Sequence, residues 1–426
     1  MMEHIRSLPA TFKGRHKLHR MIRAQVFKKL AHLKHGSLKI IDPWGVIEFG
    51  EDGGLHAEIR ITDPEFYRSL CIRGALGAAE SYIRDEWRTQ DLVSIIRTLV
   101  LNQEILQGFE GGIASLQKPA MAMFSYLTRN TQEGSQKNIK AHYDLSNDLF
   151  KLFLDPSMMY SCAYYPSPTA TLEEAQQARL HRVCQKMNLS PGDHVLEIGT
   201  GWGGFAIHAA EHYGCRVTTT TISQEQFDYA HQEIKRRGLD HKIQLLKQDY
   251  RDLQGTYDKV VSLEMIEAVG AEFLPTYMAK CASLLKDDGL FFLQAITIND
   301  QLYNRALKEI DFIKKYIFPG SFIPSIYAIL EKAKLSTDLR LYSQEDLAPH
   351  YARTLLDWRQ RFLWHTDEIK GLGFDDQFIR MWDYYFCYCA GGFLERSIGL
   401  SHMVFGKPGF RTDLSQPLNL VEGVKS

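Results

Sequence analysis

From about residue 190 the chain settles into a rhythm of short apolar runs separated by longer amphipathic stretches. The apolar runs predict strands at His194–Ile198, Arg216–Thr221, Ile243–Lys247, Lys259–Leu263 and Leu290–Ile296. The stretches between them carry helix-end signals. Ser223 followed by Gln226 resembles a capping box, Gly238 closes that helix, and Gly214 closes the one before it. Strand and helix alternating at this spacing predict an α/β fold with a doubly wound parallel sheet. The rhythm breaks over 299–395, which holds aromatic-rich helical segments. SHMVFGK (401–407) then reads as a final antiparallel strand.

Upstream, residues 36–100 mix short strand-like runs with glycines and end in the helical pattern DLVSIIRTLVL. TRNTQEGSQK (128–137) has no apolar residue and reads as a linker. The expected organisation is therefore a smaller α+β/helical domain over 1–127, a main domain over 138–410 and a loose tail over 411–426. With 426 residues the chain is long enough for two cores.

Charge changes this picture only locally. Fifty Lys and Arg balance 51 Asp and Glu, so no global field argues for nucleic acid. Residues 1–35, however, hold nine basic residues and one acid, Glu3. There Leu18, Met21, Ile22, Val26, Leu30 and Leu33 share a helical face, with Arg20, Arg23, Lys28 and Lys29 largely elsewhere. Such a helix can lie on an anionic bilayer or pack on its own domain; an Arg-rich transit peptide is a third option. Seven cysteines without CxxC or zinc spacing predict reduced thiols in a cytoplasmic protein and no metal site. No apolar run is long enough to span a membrane.

The candidate chemistry begins at HVLEIGTGWGGFAIHAA (194–210), with Gly199, Gly201 and Gly204 spaced G-x-G-x-x-G between a strand and a helix. That context suits a nucleotide-like ligand. A dinucleotide site also wants an acid at the end of the next strand, but CRVTTTTIS offers none before Glu225. An acid instead precedes the glycines, Glu197, and the resulting E-x-G-x-G resembles the first motif of class I S-adenosylmethionine methyltransferases. Asp249 follows the third strand, on the side where such folds hold adenine.

Beyond the loop, AHYDLSNDLF, MMYSCAYY, VLEIGTGWGG, TTTISQEQ, QDYRDL, SLEMIEAVG, FIKKYIFPG, HYARTLLDW and CAGGF run in order from 138 to 405. Together they resemble the cyclopropane fatty acid synthase family, and GALGAAESYIRDEW (74–87) resembles its N-terminal domain. The resemblance implies a Rossmann-like class I methyltransferase domain with a mainly parallel seven-stranded sheet and a helical lid insertion over about 299–395. It implies transfer of a methyl(ene) group from S-adenosylmethionine to a cis double bond of an unsaturated membrane phospholipid, giving a cyclopropane through a carbocation deprotonated by bound bicarbonate. Cofactor contacts carried over are Tyr160, Ser161, Glu197, Gly199, Gly201, Thr221, Gln226, Tyr250 and Arg251. The bicarbonate pocket would draw on Cys162, Glu267 and Tyr351, with Cys389 nearby.

Read without the resemblance, Cys162 and Cys389 are small core thiols and Tyr351 a helix-face aromatic, while Glu267 is open between a site carboxylate after an apolar strand and a solvated turn acid. Two positions depart from the family pattern. Ala268 stands where many members have His after the Glu, and Gln294 replaces the His of the bicarbonate-site strand. Gln can donate and accept a hydrogen bond but cannot become a cation. The cation could instead end as a methyl-branched or methylene chain. A small-molecule methyltransferase and a non-catalytic lipid-binding protein remain open alternatives. Lipid access predicts a peripheral membrane enzyme acting at the inner face of the membrane, with a homodimer adding avidity.

Overall fold

The computed structural model describes residues 10–51, 54–105, 128–143 and 145–411. Most of the expected tail, and 106–127 of the expected N-terminal domain, lie outside these residues. Near the N-terminus β1 (Ser37–Asp42), β2 (Gly45–Gly50), β3 (His56–Ile61) and β4 (Trp87–Arg88) form a four-stranded sheet in the order β2-β1-β3-β4. Period-two alternation sends Leu38, Ile40, Ala57, Ile59 and Ile61 into one buried layer. Among the described residues this unit also contains the helices α1 (Ala10–Leu30), α2 (Glu65–Ile83) and α3 (Leu92–Leu101). Asp91 starts α3 by accepting the Ser94 amide, and Gly74 (φ 56°) kinks α2.

The larger sheet contains β5 (His194–Ile198), β6 (Arg216–Thr221), β7 (Ile243–Lys247), β8 (Tyr257–Leu263), β9 (Leu285–Ile298), β10 (Arg340–Asp346) and β11 (Ile398–Gly406). Its order is β10-β11-β9-β8-β5-β6-β7. β7, β6, β5, β8 and β9 run parallel, whereas β11 is antiparallel to both β9 and β10. This is the parallel α/β sheet expected from the alternating pattern, with the seven strands that the family resemblance implies. The order reverses beside β5, which places a crevice at the carboxyl ends of β5 and β8.

Three expectations need correction. The stretch 128–137 is not a loose linker. A helix, α4 (Gln132–Tyr143), begins within it, and buried Asn130 donates to Gly320 O (2.7 Å) while accepting from Asn138 (2.8 Å). The segment 299–395 is not wholly a helical lid, because β10 from its middle forms the outer strand of the sheet. Finally, α1 does not turn one continuous apolar face in one direction. Val26, Leu30 and the following Leu33 are buried, while Leu18 and Met21 are 51% and 61% exposed. Arg23 is an internal residue of this packing, with its Nε 2.5 Å from buried Asp42 and its guanidinium against Phe27 and Trp44. No helix among the described residues is long and apolar enough to cross a membrane.

Candidate active site

The crevice opens into a cavity of about 280 Å³. At one end lies the glycine-rich loop after β5. Gly199 (φ 96°), Gly201 (φ 53°) and Gly203 (φ 95°) all occupy the left-handed region, which glycine enters without steric cost. Trp202 between them is anchored by its indole N–H on Asn147 Oδ1 (2.7 Å) and packs 4.9 Å from Phe150, so SNDLF supports the loop from below. Glu197, buried at the end of β5, accepts from the Thr219 hydroxyl (2.6 Å). Burial raises its pKa to about 7.

The other residues expected to contact the cofactor line this cavity too. Thr221 donates to Gln226 Oε1 (2.9 Å), and Ser223 caps the following helix by accepting the Gln226 amide. The side-chain oxygen of Gln226 is therefore taken by Thr221, and only half of a capping box forms. The hydroxyls of Ser161 and Tyr250 are buried without a protein partner, so both are available to a polar ligand. Arg251 does not present a free guanidinium. It grips Asp249 through two bonds (2.8 and 2.7 Å) and reaches Asn130 O (3.1 Å) and Ser135 Oγ (3.4 Å), fastening the 130–135 segment over the pocket. Tyr160 joins an aromatic wall with Phe150, Phe153 and Trp358, and its hydroxyl donates to Tyr385 (3.0 Å).

At the other end the lining becomes apolar: Ile313, Phe318, Ile323, Leu355, Phe393 and Ile398. Ile313 to Ile317 form a π-helical turn, a shape that recurs at functional sites. Between the two ends stands a residue the sequence reading missed. Glu264 follows β8 directly in a left-handed conformation (φ 52°), which is strained for a residue with a side chain. Its carboxylate accepts from the Cys162 amide (2.9 Å), the Gln294 side-chain nitrogen (2.5 Å) and the Tyr351 hydroxyl (2.5 Å).

Cys162, Gln294 and Tyr351 therefore meet around a carboxylate of the chain itself. The donors expected to hold bicarbonate are already occupied, and this donor set does not fit that ion. Cys162 contributes its backbone N–H; its thiol donates to Ala163 O, and burial pushes its pKa well up. Cys389 lines the cavity as another thiol pushed up by burial.

Glu267 also lines the cavity but lies outside this cluster of donors. Its Oε1 accepts from the Ile296 amide (2.6 Å), and its Oε2 is buried without a partner. Burial, then the charge of Glu264, raises its pKa to about 8. Burial raises Glu264 as well, but three hydrogen bonds and the nearby Arg179 guanidinium oppose it. The environments separate the pair, placing the negative charge on Glu264 and the proton on Glu267. One signal for Glu264 was present in the sequence: SLEMIEAVG places it at the carboxyl end of an apolar strand, where α/β sheets bind ligands.

The chain matches the family model described as mycolic acid cyclopropane synthetase over residues 130–403. It belongs to this family. It is 36% identical over 358 residues to the cyclopropane-fatty-acyl-phospholipid synthase of Escherichia coli, covering 84% of this chain and 89% of that one. It is 37% identical over 341 residues to the tuberculostearic acid methyltransferase UfaA1 of Mycobacterium tuberculosis, covering 76% and 77%. Among solved structures it resembles the mycolic acid cyclopropane synthase CmaA1 complexed with SAH and CTAB. That match has a TM-score of 0.60 and 30% identity, covering 64% of this chain and 98% of that one. As a family member, the chain is an S-adenosylmethionine-dependent methyltransferase that modifies lipid acyl chains. Its glycine loop, Ser161 and Tyr250 fit that cosubstrate.

Proposed function

We propose that this enzyme alkylates a cis double bond of an unsaturated phospholipid acyl chain and closes a cyclopropane, with Glu264 as the base. The single observation that carries this is the Glu264 carboxylate, held by three donors at the junction of the polar and apolar ends of the cavity. S-adenosylmethionine supplies the electrophilic methyl group, and its sulfonium leaves as a thioether. The loop of Gly199 and Gly201, with Tyr160 and Ser161 opposite, would fix that methyl against an acyl chain entering along Ile313, Phe318 and Leu355. A dry, close approach is what a weakly nucleophilic alkene requires.

Methyl addition leaves a cation on the acyl chain. The rings of Phe318, Tyr385 and Phe393 line the cavity and can stabilise it. Glu264 then takes a proton from the added methyl, and the freed electron pair closes the ring. A protonated Glu267 leaves one net negative charge in the pocket. Bicarbonate has no step here.

Names of relatives also speak of methyl transfer alone, as in the tuberculostearic acid methyltransferase. In that second reading a hydride shift first moves the cation to the methylated carbon; Glu264 then takes a proton from the methyl, leaving a methylene group, or from a neighbouring chain carbon, leaving a methyl-branched alkene. Incubation with methyl-deuterated S-adenosylmethionine and vesicles of cis-monounsaturated phospholipid separates the two. Proton NMR and lipid mass spectrometry should show two deuterons on a ring carbon with loss of the alkene. Label in a branch or a methylene group would reassign the product, and unlabelled lipid would refute the lipid reading.

The membrane contact is proposed for the exposed part of α1. There Leu18 and Met21 stand beside exposed Lys17 and Arg20, a combination suited to an anionic lipid surface.

A further inference from the structure

Gln294 on β9 and His402 on β11 face each other as register partners, and both side chains are fully buried. Their hydrogen bonds have a polarity that chemistry dictates. An ionised Glu264 can only accept, so the atom 2.5 Å from its Oε1 must be the amide nitrogen of Gln294. The amide oxygen is then directed at His402, whose Nε2 lies 2.8 Å away. That oxygen also only accepts, so the imidazole carries its proton on Nε2. Nδ1 is left as a bare lone pair, buried without a partner. A neutral ring fits this tautomer: burial first, then Lys186, Arg179, Arg182 and His350, disfavours a second proton. Phe292 packs edge-on against the ring (5.0 Å) and holds its plane.

We infer that His402 is a positioning residue for the reaction: its Nε2–H locks the Gln294 amide so that the amide nitrogen holds Glu264. A buried amide with an unclaimed oxygen would be free to turn, and any turn removes one of the three donors that orient the carboxylate. His402 touches neither the cofactor pocket nor Glu264, so its action passes entirely through Gln294. The inference rests on the reading of Glu264 as the base.

The test compares His402→Ala and His402→Gln with wild type on vesicles of cis-monounsaturated phospholipid. It measures kcat and KM for S-adenosylmethionine together, and cofactor binding by calorimetry. The Gln side chain can still donate to the Gln294 oxygen, whereas Ala cannot. His402→Ala should lower kcat about tenfold and leave KM within about twofold. His402→Gln should recover kcat to within about threefold of wild type. If both variants bind cofactor and fall equally, His402 is a space-filling residue and the inference is overturned. Wild-type kcat in His402→Ala would overturn it too. Should the Ala variant not fold, the kcat of His402→Gln decides alone: near wild type supports the relay, and a tenfold loss removes it. Glu264→Gln runs in parallel. Full activity there would refute the base reading itself, whereas an inactive Glu264→Gln beside an unaffected His402→Ala would refute only the relay.

Discussion

Glu264 and Glu267 are three residues apart, yet their surroundings assign them opposite protonation states. One carboxylate meets three hydrogen-bond donors, and the other meets a single backbone amide in a dry pocket. From sequence, Cys162, Glu267 and Tyr351 are expected around a bicarbonate, with Gln294 in the same site, and Glu264 has no part in it. The family motif puts its glutamate at Glu267, and spacing cannot reveal that the φ of Glu264 turns its side chain among the three donors. The proton on Glu267 has a thermodynamic signature. Its native pKa of about 8 lies above the ordinary 4.5, so the native state keeps a proton that the unfolded chain releases. Its contribution is therefore fully present below about pH 4.5 and is lost as the pH rises towards 8. Glu267→Gln lacks this loss. Its melting temperature relative to wild type should rise by at least about 2 °C between pH 5 and pH 8. A pH-independent difference in thermal scans would show that Glu267 is ionised in the native enzyme. Glu197, raised to about 7 in both proteins, cancels from the comparison.

Elements with a strong apolar rhythm were legible; those whose polar residues work internally were not. β5, β6 and β7 begin and end where the pattern places them, because β-branched and apolar residues fill them and glycine or polar turns bound them. β8 and β9 start earlier than expected, through the polar residues of YDK and LKDDG. β10, RLYSQED, escaped notice because it is an edge strand with mostly exposed side chains. The start of α4 reads as a linker because its composition is polar, although Asn130 and Ser135 are buried against Arg251 and the pocket. In α1 the basic character was legible, but the engagement of Arg23 with Asp42 was not. This divides the helix into separable parts. Replacing Leu18 and Met21 with Ser should reduce binding to anionic vesicles in a flotation assay while cofactor affinity stays unchanged. Arg23→Ala should instead lower thermal stability, because it leaves buried Asp42 without its ion-pair partner. Unaltered vesicle binding by the Leu18/Met21 variant would remove α1 from the membrane contact.

In the molecule as a whole, the N-terminal unit grips the segments that wall the apolar end of the cavity. The Tyr82 hydroxyl of α2 donates to Asp383 (2.5 Å), which also binds Arg359 (2.5 Å). Arg97 of α3 binds Glu395 (2.5 Å). Buried Glu80 accepts from Lys315 (2.6 Å) and Tyr316 (2.9 Å) in the π-helical turn, and Arg73 pairs with it from outside. The Tyr82–Asp383, Arg97–Glu395 and Glu80–Lys315/Tyr316 contacts join residues over 200 positions apart, which no local pattern could announce. They tie the acyl end of the site to the unit proposed to meet the membrane. Tyr82→Phe, which removes one buried hydrogen bond to a charged acceptor, should cost about 2 kcal/mol in denaturant unfolding. A change below about 0.5 kcal/mol would show that this contact contributes little to holding the two parts together.

The measurement closest to the centre of the account is product formation in rigorously bicarbonate-free buffer by wild type and by Glu264→Gln. Both would be supplied with methyl-deuterated S-adenosylmethionine and cis-monounsaturated phospholipid vesicles, with bicarbonate then restored. A general base is worth about 10²- to 10⁴-fold. Wild type should therefore label lipid equally with and without bicarbonate. Glu264→Gln should bind the cosubstrate normally and fall by that factor. A wild-type enzyme that is silent until bicarbonate is added, beside a Glu264→Gln variant that keeps its rate, would contradict the assignment of the base to Glu264.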